Sequence, residues 1–238
     1  MSIRRTHPGR PRLVPSRTAA PPREQVLHAA AQLFVTKGFA ATSTREIAEQ
    51  VGIRQASLYY HFTGKDEILA ELLERSVRPT VDRVARIEQL TASESPETAL
   101  YALALVDVQT LAEAPDNIGM LATHPDVTSS EAFDAFRSTR AELADAYGRL
   151  ATRAAEPGVA PVADPRHLGE MLMHLVEVTT SLRGSGVPID DTTAAVIAAT
   201  CLRASGIPES RITTTALAAA TVVDELCARD SGPTGSES

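Results

Sequence analysis

Arg54, Gln55 and Ser57 place three hydrogen-bonding side chains within four positions, directly after the break at Gly52. Their groups match the edges of nucleic-acid bases: arginine can pair in bidentate fashion with guanine, glutamine with adenine, and serine with either. Other candidate chemistry in the chain is weaker. His167, Glu170, His174 and Glu177 fall at i, i+3, i+7 and i+10, on one helical face. Paired His-x-x-Glu units bind metals in helical bundles, but those sites draw ligands from several helices. We therefore read this face as solvated or as part of a dimer seam, with no metal. Cys201 and Cys227 lie in apolar helical patterns and are expected to pack rather than react. Arg183-Gly184-Ser185-Gly186 is too short to cradle a phosphate and follows a helix, not a strand. No P-loop, dinucleotide fingerprint, Gly-x-Ser-x-Gly elbow or His-Glu-x-x-His occurs. We expect no catalytic residues and no cofactor, and the chain does not read as an enzyme.

Side chains at 54, 55 and 57 can enter a groove only from a short, exposed helix braced from behind. The flanking sequence supplies that brace. Helical patterning begins at Pro22, suited to a first turn, and Val26, Leu27, Ala30, Leu33 and Phe34 recur on one face until Gly38. Ser43-Thr44-Arg45-Glu46 reads as a capping box opening a second helix, with Ile47, Ala48 and Val51 turned inward. Gly52 ends it. A third helix runs from about Ile53 to His61, with Leu58 and Phe62 facing the core. Thr63-Gly64-Lys65-Asp66 caps a fourth, expected to run through Ile68, Leu69, Leu72 and Leu73 and to end or kink toward Pro79. Two short helices around a tight turn have the form of a helix-turn-helix, whose second helix lies in the major groove.

Charge divides the same way. Residues 1–66 carry ten Lys and Arg against four Asp and Glu, while residues 67–238 carry thirteen against twenty-six. A basic head on an acidic body meets a polyanion with the head alone. Before the head, residues 1–22 hold five prolines and scattered arginines and are read as a flexible basic arm. Pro8-Gly9-Arg10-Pro11-Arg12 contains a Gly-Arg-Pro core like those of minor-groove hooks, so Arg10 and Arg12 join the candidate contacts, beside the blander reading of a solubilising tail.

Beyond residue 80 the pattern stays helical, with helices expected near 97–113, 130–155, 166–183, 190–205 and 209–228, and a disordered tail at 231–238. No useful alternating run suggests a strand. The fold class is therefore all-α: a three-helix DNA-binding head at 23–66 and a helical ligand-binding and dimerisation body at 67–230. No transmembrane span or secretory signal is apparent, and two unpaired-looking cysteines suit a cytoplasmic location.

The stretch Val26 to Phe34, then Lys37-Gly38-Phe39, Thr42 to Ala48, Val51-Gly52-Ile53, Ser57 to Phe62 and Lys65 to Leu69 resembles the N-terminal domain of the TetR family. The resemblance covers about residues 23–73. It implies a homodimer joined by a four-helix bundle of C-terminal helices, with its two heads in successive major grooves of a double-stranded operator. It further implies phosphate contacts by Thr44, Tyr59, Tyr60 and Lys65, with Thr42 also near the backbone. Hydroxyls and a lysine are indeed the usual groups for positioning on phosphate. Many members carry serine where this chain has Arg54. The change forgoes a cap of roughly 1 kcal/mol but gains a cation beside the groove, where one good bidentate pair gives about 1–3 kcal/mol of discrimination.

The resemblance also implies a small-molecule effector inside the body. Polar or aromatic residues in otherwise apolar helices are its candidates: Tyr101, Gln109, Phe133, Phe136, Arg137, His174 and Glu177. The Ala-rich stretches 194–200 and 213–221, with 166–183, suit the dimer bundle, though they could equally pack within one subunit. The expected function is a ligand-responsive repressor. Its rival is an architectural protein that coats DNA without sequence preference, against which the large acidic body argues.

Overall fold

Proline and small polar residues set most helix starts in this chain, since proline fixes φ near its helical value and lacks only an N–H that a first turn leaves unpaired. The computed structural model describes residues 20–155 and 164–230. Its helices are α1 (Pro22–Lys37), α2 (Thr44–Val51), α3 (Gln55–Tyr59), α4 (Lys65–Arg75), α5 (Arg78–Leu90), α6 (Pro96–Glu113), α7 (Pro125–Thr128), α8 (Asp134–Ala154), α9 (Pro165–Gly184), α10 (Asp191–Ala204) and α11 (Glu209–Asp230). No strand occurs among the described residues, and the fold is all-α with a helix-turn-helix head. No described helix is long and apolar enough to cross a membrane.

Two departures from the sequence reading have simple causes. Pro79 neither ends nor kinks α4, which stops at Arg75; Pro79 stands in the first turn of α5, a separate helix. The helix expected to start near 130 begins at Asp134, because Ser130 caps a separate 3-10 turn at Glu131–Phe133. Residues 1–19 of the arm expected at 1–22, Arg10 and Arg12 among them, lie outside the described residues, as does the tail from 231.

In the body, α6 is the axis. Ala99 to Val108 are all buried except Leu105, with α5, α8, α9, α10 and α11 packed around them. Helices α8 and α9 cross most closely, at Gly148 and Gly169. A Cβ on Gly148 would overlap the Pro165 carbonyl, and one on Gly169 the Ala144 carbonyl, so the approach requires both glycines.

Charge is also sealed into this core. Asp107 of α6 accepts from Tyr147 Oη at 2.9 Å and from Thr80 Oγ1 at 3.2 Å. Burial pushes its carboxyl up to about 7 against the pull of those two bonds. Glu177 pairs with Arg140 at the edge of the same region.

Head and body meet along α1 and α4. Arg75 forks onto Glu24 at 2.8 and 2.9 Å and reaches Glu71 at 2.7 Å, while Arg23 also pairs with Glu71. Phe39 packs edge-on against Phe133, 6.1 Å between centroids. The third link is the turn Pro115–Leu121, in which Asp116 and Asn117 take left-handed φ of 49° and 60°. Asn117 Nδ2 donates to Thr180 O at 2.7 Å, and Arg183 Nη1 donates to Leu111 O at 2.7 Å and to Asn117 Oδ1 at 3.3 Å. On the other side His28 Nδ1 lies 3.1 Å from Asp116 Oδ2, near enough for an ion pair but not aligned as a hydrogen bond.

Candidate nucleic-acid interface

The face that carries Arg54, Gln55 and Ser57 is built from the cap of α2 forward. Ser43 Oγ accepts from the Glu46 amide at 3.3 Å, while the Ser43 amide donates to Glu46 Oε2 at 2.9 Å, completing the capping box. Lys37 pairs with the same carboxylate from the end of α1. Lys37 and Ser43 together hold the Glu46 carboxyl down to about 2. The start of α2 is thus fixed to the end of α1.

At the other end Gly52 takes φ 78°, a left-handed conformation natural to glycine, and the Ile53 amide bonds Ala48 O at 3.0 Å. The chain then turns sharply into α3. Leu58 and Phe62 point inward, 0% and 1% exposed, and lock α3 onto the head. Arg23 stacks its guanidinium on the Phe62 ring at 4.6 Å from behind.

With its apolar side spent on the core, α3 turns its remaining residues outward. Arg54 occupies the N-cap with extended φ and ψ of −75° and 144°, gives no side-chain cap, and is exposed. Gln55 and Ser57 are exposed beside it, Tyr59 is 51% exposed and Tyr60 86%. Such large exposed aromatic surface with a hydroxyl at its tip suits a wet, polar partner. Gln55, Thr44 and Tyr59 form a triangle. Gln55 Nε2 donates to Thr44 Oγ1 at 3.0 Å and to Tyr59 Oη at 3.5 Å, and the two hydroxyls are 3.1 Å apart.

Two candidates stand behind this face rather than on it. Thr42 is 2% exposed and donates to Gly38 O at 2.8 Å. Lys65 Nζ donates to the carbonyls of Phe39, Ala40 and Thr42 at 2.9, 3.2 and 3.0 Å, and sits 4.6 Å from the Phe39 ring centroid. Its ammonium thereby fastens the loop between α1 and α2 to the start of α4. Nothing in the spacing of these residues signals that clamp.

The seven body candidates are dispersed. Tyr101 Oη donates to Ala195 O at 3.2 Å, joining α6 to α10, and Gln109 is half-buried on α6. Phe133 and Phe136 are buried, Phe133 against Phe39 of the head. Arg137 donates to Val127 O and Ser130 O, and pairs with Asp134. Glu177 pairs with Arg140, and His174 Nδ1 lies 2.8 Å from Glu177 Oε2. His174 also borders an open, mostly apolar groove of about 590 Å³ between α9 and α10, walled by Leu175, Val178, Leu182, Val196 and Ile197.

Residues 26–72, the head and the start of α4, match the model of "Bacterial regulatory proteins, tetR family". The transcriptional repressor KstR2 of Mycobacterium tuberculosis is 45% identical over 51 residues, covering 21% of this chain and 26% of that protein. The uncharacterised helix-turn-helix regulator YerO of Bacillus subtilis is 32% identical over 78 residues, covering 33% of this chain and 27% of its own. The chain thus spans about a quarter of the length of these curated relatives. The crystal structure of AmtR from Mycobacterium smegmatis extends the likeness to the body: TM-score 0.75 and 34% identity over 89% of this chain and 98% of that one. The chain belongs to the TetR family. In this TetR-family protein the matched head is the part whose caps and turn the sequence spells out. Head and body together share their fold with AmtR over nearly that protein's whole length.

Proposed function

We propose that this chain is a transcriptional repressor that binds a palindromic operator as a homodimer and releases it when a small molecule occupies the body. The observation that carries the proposal is the outer face of α2 and α3, where Arg54, Gln55, Ser57, Tyr59 and Tyr60 stand exposed over a packed, capped core. Arg54, Gln55 and Ser57 address base edges, and Thr44, Tyr59 and Tyr60 address phosphates. Thr42 and Lys65 act from behind, keeping the α1–α2 loop in place and setting a positive charge near the backbone. Arg10 and Arg12 of the arm reach the neighbouring minor groove.

We divide the chain at 23–66 for the head and 67–230 for the body. The partner for the body is a second copy, seated on the groove between α9 and α10. Exposed Met171, Val178 and Val196 along those helices support this, because a lone subunit would leave that apolar strip in water. Two heads so joined meet major grooves about 34–36 Å apart, hence a palindrome. The effector acts by binding the DNA-incompetent arrangement of heads more tightly, a coupling of about 1–3 kcal/mol. Its contacts are sought among Tyr101, Gln109, Phe133, Phe136, Arg137, His174 and Glu177. The protein does its work in the cytoplasm, where its DNA is.

Fluorescence anisotropy with the DNA upstream of the protein's own gene tests the reading. At physiological salt it should bind there at least about a thousandfold more tightly than to random duplex. Equal affinity for both would replace this function with that of a coating protein.

A further inference from the structure

We infer that the cleft between the starts of α6 and α11 is a second small-molecule site, which takes a short aliphatic primary amine on the buried carboxylate of Glu97. A cavity of about 350 Å³ lies there, lined by Glu94, Glu97 and Thr98 at the start of α6 and by Ser210, Arg211 and Thr214 of α11. None of the seven residues proposed for the effector lines it. The helix α6 places it at the end away from the turn Pro115–Leu121, through which the body meets α1.

Glu97 is what distinguishes this cleft. Its side chain is 3% exposed, and its Oε2 is buried without a hydrogen-bond partner. Arg211 answers only the other oxygen: Nε donates to Oε1 at 2.8 Å, and Nη2 lies against that same atom. Arg203 uses the same two nitrogens on Glu209 but directs them to Oε2 and Oε1 separately, at 2.8 and 2.7 Å. Arg75 likewise divides itself between both oxygens of Glu24. A fork satisfies a carboxylate on both sides, whereas Arg211 leaves half of a buried one unmet.

An oxygen that only accepts requires a donor. Two carboxylates, Glu94 and Glu97, stand in the lining against one guanidinium, so that donor is a cation. A metal ion does not suit, since among the described residues no three His, Cys, Asp or Glu side chains gather as ligands. A quaternary ammonium has no N–H to give. A primary ammonium has three, enough for the carboxylate and for hydroxyls such as those of Ser210 and Thr214. The volume lies at the low end of the about 300–1,000 Å³ usual for small-molecule pockets, which favours a short chain. Arg211 grips one oxygen only and its side chain is 40% exposed, so it turns outward and the incoming ammonium meets the carboxylate in its place.

Isothermal titration of the full-length protein with 1,4-diaminobutane, at constant ionic strength, tests this. Saturable binding with a Kd below about 1 mM is expected, with 1,4-butanediol and tetramethylammonium weaker by about tenfold or more. Glu97→Gln keeps the shape of the side chain and removes its charge, and should weaken the diamine by about tenfold or more. Thermal midpoints near wild type establish that a variant is folded. Should Glu97→Gln not fold, Thr214→Lys decides: the position is exposed, and its tethered ammonium should exclude the diamine to the same extent. Absence of saturable binding, equal binding of tetramethylammonium, or a Kd unmoved by the folded variants overturns the inference. These titrations contain no DNA, so the DNA-reading face stands or falls separately.

Discussion

In the head, Arg54, Gln55, Ser57, Tyr59 and Tyr60 project into solvent from a core of a few apolar side chains. In the body, Asp107 and Tyr147 are buried, and among the described residues they are hydrogen-bonded to each other, with Thr80 as the second donor to Asp107. Polar groups on the head cost little desolvation and remain available to a ligand. Those in the body are stabilised only while their partners stay in place, because an unmatched buried polar group costs about 1–3 kcal/mol. The lesson is that chemistry meant for a partner is kept outside, and chemistry kept inside makes the fold depend on its surroundings.

The contrast can be tested hardest at the α8–α9 crossing. Gly169→Ala forces a Cβ onto the Ala144 carbonyl, which as backbone cannot step aside. We expect a loss of about 3 kcal/mol or more in denaturant unfolding, with the body failing to dimerise. A change under about 0.5 kcal/mol would mean the crossing is looser than described.

The sealed carboxyl gives a second test of the body. Asp107 titrates near 7 when folded, against an ordinary value of 3.8, so the folded chain holds this proton more tightly than the unfolded one. Its contribution to stability is complete below about pH 4 and is lost as pH rises through about 7, at about 1.4 kcal/mol for each pKa unit separating the two states. Asp107→Asn keeps the shape and removes the titration. Unfolding curves recorded across that range should therefore decline less with pH than those of the wild type. Parallel declines would place the sensitivity elsewhere.

The head should answer differently. Arg54→Ala should leave the melting temperature nearly unmoved yet cut the preference for specific over random DNA by the equivalent of about 1–3 kcal/mol. The smallest effect is expected from Ser43→Ala, which removes one half of the capping box and should cost about 1 kcal/mol. Faster amide exchange confined to α2 is its signature; uniform exchange throughout the chain would deny the cap a local role.

Most of the head was legible in the sequence because its determinants are local. The Ser43–Glu46 box, the turn at Gly52 and the inward pair Leu58 and Phe62 each declare themselves within a few residues, and each lies as expected. The clamp at Lys65 did not, since its three carbonyl partners are more than twenty residues away and are backbone atoms that no residue type announces. The body was legible only as helices. Asp107, Tyr147 and Thr80 come from three elements, and a spacing of 27 or 40 residues carries no periodic signal. Pro79 misled for a related reason: the same residue can stop one helix or start the next, and the neighbouring chain decides which.

The left-handed turn at Asp116 and Asn117 bears on any attempt to recombine modules. It is gripped by Thr180 and Arg183 from α9 and lies against His28 of α1, so it touches the groove-lining helix and the first helix of the reader at once. A graft that swapped the reader alone would arrive with a new surface opposite Asp116 and sever this joint, while every groove contact stayed intact. Such a hybrid would keep an intact head yet lose its link to α9 unless position 28 travelled with a matching 115–121 segment.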